Sequence, residues 1–159
     1  MKQEMFFENA KLLYDKFKII PLMYGSLGLE YITNENLNAD DIDILIPQIF
    51  IAERWDAFKS FLISEKYALI DEREHTFQKN GIEYSYASVE ELEEFAKIPL
   101  SDIEEQYNNG IKFKLLSLEQ YLTVYRESVK DGYRITVREK KDKDKIAFID
   151  GLLKAKNKK

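Results

Sequence analysis

Two short stretches carry groups able to hold a charged ligand. Gly25 and Ser26 follow the apolar run Leu22-Met23-Tyr24. A short apolar run stopped by glycine predicts a buried strand. Ser26 is a favoured N-cap residue, so Leu27 onward is expected to turn into a helix whose first amides face the strand end. Free amides and the positive end of a helix dipole both favour an anion, which makes Gly25-Ser26 a candidate phosphate seat. Further along, Asp41 and Asp43 alternate with Ile42, Ile44 and Ile46. With a period of two, the isoleucines take one strand face and both carboxylates the other. Such a pair repels itself unless a cation lies between, and Mg²⁺ uses oxygen-rich pairs of this kind when it also holds substrate phosphates. Either element alone has an ordinary explanation, a turn or a solvated strand face. Their conjunction on predicted adjacent strands does not.

The elements around these residues follow from periodicity. Phe6, Ala10, Leu13 and Phe17 recur at helical spacing and predict an amphipathic helix over 4–17, packed on a sheet. Pro47 ends the second strand, and Ile51, Trp55, Phe58 and Leu62 line a helix expected near 50–64. Residues 67–71, 74–79 and 81–87 read as three short strands, the last two joined by Asn80-Gly81. Ser88 with Glu91 matches a capping box and opens a helix carrying Leu92, Phe95 and Ala96, ended by Pro99. Residues 103–107 and 111–115 flank a second hairpin turn, Asn109-Gly110. Ser117 with Gln120 opens a helix through Leu118, Tyr121, Leu122 and Tyr125, closed at Asp131-Gly132. A last helix starts near Val137. The chain reads as a single domain over 1–153, followed by a basic, frayed tail over 154–159.

Gly25-Ser26 followed by Asp41-Ile42-Asp43 resembles the signature of the nucleotidyltransferase superfamily, the fold of polymerase beta and of kanamycin and lincosamide nucleotidyltransferases. The resemblance is strong over residues 20–47 and traceable to about residue 152. It implies an α/β fold: a mixed sheet, helices packed mainly on one side and a C-terminal helical segment. It further implies that Gly25 and Ser26 contact nucleotide phosphates and that Asp41 and Asp43 bind one or two Mg²⁺ ions. The family's third carboxylate falls at Ser85 in Gly81-Ile82-Glu83-Tyr84-Ser85, and Glu83 lies two residues earlier on the same strand face. Serine binds Mg²⁺ more weakly than a carboxylate and needs activation to act as a base. Glu83 is therefore the third catalytic candidate, beside Asp41 and Asp43, and an exposed hairpin glutamate is the alternative. The segment from Arg138 to Lys145 resembles the start of the family's last helix, where a lysine reaches the phosphates. Lys141 matches that lysine, with Arg138 one turn earlier.

Other chemistries are poorly supplied. There is no cysteine and only one histidine, His75, so a zinc site of the usual kind is excluded. No Gly-Lys-Ser/Thr follows Gly25, and the third glycine of a dinucleotide fingerprint is missing. The net charge of −5 argues against general nucleic-acid binding. The chain lacks a signal-peptide pattern and any apolar run of membrane length, which points to the cytoplasm. The expected activity is Mg²⁺-dependent transfer of a nucleoside monophosphate from a nucleoside triphosphate to a hydroxyl acceptor. The alternative is a non-catalytic nucleotide-binding or protein-interaction module that kept the fold and lost the third acid.

Overall fold

In the computed structural model the hydrophobic periodicities become, among the described residues, seven strands and six α-helices. Residues 1–130 and 137–157 are described, with side chains for 1–129 and 142–155. Helix α1 (Lys2–Phe17) leads into β1 (Leu22–Tyr24), α2 (Gly25–Thr33) and β2 (Ile42–Ile46). A short 3-10 turn over Gln48–Ile51 precedes α3 (Trp55–Ser64). Strands β3 (Ala68–Asp71), β4 (Thr76–Lys79) and β5 (Ile82–Ser88) form a meander that ends in α4 (Val89–Ala96). A hairpin of β6 (Glu104–Asn108) and β7 (Ile111–Leu115) is followed by α5 (Leu118–Lys130) and α6 (Val137–Asn157).

The strands lie in one sheet in the order β3-β4-β5-β2-β1-β7-β6. β2 runs parallel to β5 and β1 parallel to β7, and the remaining neighbours are antiparallel. The sheet is thus mixed, as the family resemblance implies. Both hairpins turn at the expected Asn-Gly pairs. Asn80 and Gly81 have φ of 54° and 79°, and Asn109 and Gly110 have 50° and 82°, the left-handed pairs a two-residue turn requires.

Alternation sorts the sheet into two faces. Ile42, Ile44, Ile46, Met23, Tyr84, Tyr86 and Phe113 pack beneath α1 and α3, against Phe6, Ala10, Leu13, Phe58 and Leu62. Edge-to-face contacts such as Phe6–Phe113 and Phe58–Tyr86 order this aromatic core. Trp55 joins it, as a core reading of the lone tryptophan predicts, and donates its indole N–H to Glu72. On the opposite face Leu22 and Leu45 meet Leu92 of α4, Tyr121, Leu122 and Tyr125 of α5, and Ile149 of α6. The C-terminal helices therefore cover one end of that face and leave the rest open beside Asp43.

Of the two predicted capping boxes, the one at Ser117 closes in both directions and the one at Ser88 forms in its N-cap half. Ser88 Oγ accepts from the amide of Glu91 at 3.1 Å. Ser117 Oγ accepts from Gln120 N, while Gln120 Oε1 accepts from Ser117 N. The predicted stop at Asp131-Gly132 lies outside the described residues. The helix expected from residue 50 begins at Trp55, because the 3-10 turn over Gln48–Ile51 and a further turn over 52–54 come first.

Candidate active site

The centre of the sheet aligns Tyr24, Asp43, Ser85 and Thr76 as consecutive cross-strand neighbours. Tyr24 pairs with Asp43, Asp43 with Ser85 and Ser85 with Thr76. Paired residues project to one face, so Asp43 and Ser85 stand side by side on the face opposite the buried isoleucines. Ser85 Oγ and Thr76 Oγ1 share a hydrogen bond of 2.9 Å.

The strand-to-helix junction differs from expectation in one detail. The N-cap of α2 is Tyr24, in extended backbone and without a side-chain cap bond, and Ser26 lies inside the first turn. Gly25 makes this earlier start possible: its φ of +63° turns the chain from strand into helix within a single residue. The first turn contains no acidic side chain of its own, and the Asp43 carboxylate of β2 lies against its first residue. Ser26 Oγ, freed from capping, accepts a 2.7 Å hydrogen bond from Lys145 Nζ of α6.

Three further contacts hold the junction. Tyr121 of α5, fully buried, donates its hydroxyl to the Gly25 carbonyl at 3.0 Å. Burial, and then the neighbouring Tyr125, Tyr24 and Asp43, push the Tyr121 phenol well above its ordinary range, so it remains a donor. Gly28 lets α2 lie against β1: a Cβ there would collide with the Tyr121 hydroxyl and the Met23 carbonyl. Glu30 Oε2 accepts from Leu37 N at 3.0 Å and Ala39 N at 3.3 Å, pinning the loop that carries Asp40 and Asp41.

These elements enclose a cleft of about 610 Å³ lined by Gly25, Ser26, Asp41, Asp43 and Lys145, with Asp40, Asp142 and Asp144 also on its wall. Asp142 is buried and accepts from Ser128 Oγ at 2.6 Å, tying α6 to α5. Among the described residues no three His, Asp or Glu side chains converge into a ready metal cage. The donor set of two carboxylates beside a helix N-terminus instead fits a hard cation that takes its remaining ligands from a bound oxyanion and water.

Of the residues singled out from sequence, Gly25, Ser26, Asp41 and Asp43 meet in this cleft. Glu83 is exposed on β5, paired with Gln78 of β4, and is not among the residues lining the cleft. Arg138 and Lys141 belong to α6, but their side chains lie outside the described residues. Sequence reasoning missed Lys145, Glu30 and Tyr121. Lys145 alone had a usable signal, since it lies one helical turn beyond Lys141. A second cavity of about 490 Å³ shares only Tyr24 and Asp43 with the first and is walled by Ser85, Arg73, Glu74, His75 and Glu91. His75 packs edge-on against Trp55 with ring centroids 4.7 Å apart, so it is anchored at that rim.

No family model matches the sequence. The uncharacterized protein YnaI of Bacillus subtilis (strain 168) is 36% identical over 149 residues, covering 94% of this chain and 96% of that protein. The crystal structure of ANT(2")-Ia in complex with adenylyl-2"-tobramycin aligns with a TM-score of 0.61 over 99% of this chain and 92% of that one, at 12% identity. An antigenic nucleotidyltransferase-like protein from Paracoccidioides brasiliensis aligns with a TM-score of 0.59 at 17% identity, over 92% of this chain and 73% of that one. The likeness to these structures extends to the fold, and the sequence relationship to YnaI spans nearly both chains. The chain belongs to the YnaI family and carries a nucleotidyltransferase-like fold.

Proposed function

We propose that this protein transfers a nucleoside monophosphate from a nucleoside triphosphate to a hydroxyl acceptor, with Mg²⁺ as its cofactor and pyrophosphate as leaving group. The observation carrying the reading is that a positive-φ glycine turn, a helix N-terminus, Lys145 and the Asp41/Asp43 pair line one cleft. The neighbour ANT(2")-Ia, whose structure holds an adenylylated tobramycin, has a fold suited to that chemistry.

In this reading the first-turn amides of α2, Ser26 Oγ and Lys145 Nζ hold the β- and γ-phosphates, so negative charge developing on the departing pyrophosphate meets donors already in position. Asp41 and Asp43 would hold Mg²⁺, which when bound neutralises charge at the α-phosphate and aligns the attacking oxygen. Tyr121 keeps the Gly25 carbonyl turned away from the phosphates by occupying it as acceptor. In-line displacement needs the acceptor opposite the leaving group. The second cavity meets the first at Tyr24 and Asp43, and this favours it as the acceptor's entry. Glu83, two residues before Ser85, lines neither cavity, so taking the acceptor proton or completing the metal set requires its side chain to reach along the β5 face toward Asp43.

The second reading, a nucleotide-binding module without catalysis, is favoured by one observation. Ser85 stands beside Asp43 where the family's third acid is expected, and its hydroxyl is engaged with Thr76. Isothermal titration of the purified protein with each common nucleoside triphosphate, with Mg²⁺ and then with EDTA, tests both. Metal-dependent binding is expected; its absence for all of them sinks both readings. Pyrophosphate release on supplying hydroxyl compounds then distinguishes enzyme from module.

A further inference from the structure

At 100° per residue, Val89, Leu92 and Ala96 of α4 form one buried stripe, and Phe95 falls about 100° away from Ala96. The sequence groups Phe95 with that apolar helix face, but the structure leaves it 40% exposed and outside both hydrophobic clusters. It lines the cleft that holds Gly25, Ser26 and Asp43. Leu37 from the α2–β2 loop and Val124 from α5 line the same cleft, so the wall carries apolar side chains from three separate elements.

From this arrangement we infer that Phe95, with Leu37 and Val124, is the nucleobase platform of the cleft, reading the flat face of the base rather than its edge. The inference rests on the nucleotide reading above and adds which part of the nucleotide is held where. A triphosphate seated at the α2 N-terminus must extend its nucleoside along the same cleft. An aromatic ring and two aliphatic side chains offer stacking and apolar contact and no hydrogen-bond donors. Every base has such a face, so all four nucleotides bind, and purines bind better than pyrimidines because they cover more ring.

The test compares Mg²⁺·ATP with Mg²⁺·tripolyphosphate, which has the same phosphate chain and no base, by calorimetry on the full chain. The unmodified protein is expected to bind ATP more tightly than tripolyphosphate, with the other three nucleotides within about ten-fold of ATP. Phe95→Ala should weaken ATP binding about ten-fold and leave tripolyphosphate unchanged, while Phe95→Trp keeps or improves ATP binding. Because Phe95 is exposed, an unchanged melting temperature verifies that these variants fold. ATP binding that is equal in the parent and Phe95→Ala overturns the platform while leaving the phosphate seat standing. A strict preference for one base overturns face reading. Failure of both ATP and tripolyphosphate to bind the parent overturns the nucleotide reading and this inference with it.

Discussion

A Cβ on Gly25 would stand 2.6 Å from Oδ2 of Asp43. The missing side chain is therefore what allows the helix-opening turn and the metal-binding candidate to lie in contact. Gly25→Ala adds that collision to a φ of +63°, which L-residues with a Cβ adopt at a cost. The variant is expected to lose about 1–3 kcal/mol of stability in urea denaturation and to bind triphosphate more weakly than that loss alone explains.

Asp41→Asn together with Asp43→Asn should abolish the Mg²⁺-dependent part of triphosphate binding in calorimetry. Five aspartates line the cleft, namely Asp40, Asp41, Asp43, Asp142 and Asp144. Removing two of these like charges is expected to leave the metal-free melting temperature unchanged or slightly raised. A large fall in melting temperature would show that the pair serves the fold rather than a cation.

Lys145→Met tests the phosphate seat from the other side. Charge-assisted hydrogen bonds are worth about 1.5–3 kcal/mol, so triphosphate affinity should fall about ten- to a hundred-fold. Lys141→Met run in parallel decides which lysine of α6 serves the nucleotide. An effect confined to Lys141→Met would return the role to the residue matched from sequence.

For the third acid, Glu83→Gln should spare triphosphate binding and cut transfer about 10²- to 10⁴-fold if its carboxylate takes the acceptor proton. Ser85→Asp, placing a carboxylate beside Asp43 in the strand register, should preserve or raise turnover. A Glu83→Gln protein as active as the parent removes Glu83 from the mechanism.

Alkaline pH should unfold the protein through its tyrosines. Tyr67, Tyr84, Tyr86 and Tyr121 are buried, and burial above all raises each phenol over its ordinary 10.0. Above pH 10 the unfolded chain releases phenolic protons that the folded chain retains, so stability falls as pH rises. Below pH 10 their contribution is fully present. The expected slope is about 1.4 kcal/mol per pH unit for each tyrosine that stays protonated in the fold. Denaturant midpoints measured across that range, with phenolate absorbance as a second probe, check it; a flat profile would show that the phenols ionise without unfolding.

What the sequence determined by itself is mostly local. The alternation of Ile42, Ile44 and Ile46 against Asp41 and Asp43 sets which strand face is core, since successive side chains must oppose each other. The Asn-Gly turns and the Ser88 and Ser117 caps depend on backbone conformation and on bonds spanning three residues; both turns and the Ser117 box form as read, and Ser88 caps Glu91 N without the return bond. Gly25, Ser26 and the two aspartates were legible because strand, turn and strand are contiguous in the chain. The strand order was not. Asp43 beside Ser85, and Lys145 on Ser26, join residues far apart in sequence, and only sheet register and the packing of α5 on α6 bring them together. Phe95 shows the same limit within one helix. Its spacing from Leu92 reads as core, but which part of an apolar stripe is covered depends on the neighbour that packs there, and α5 covers Leu92 and Ala96 while Phe95 is left facing the cleft.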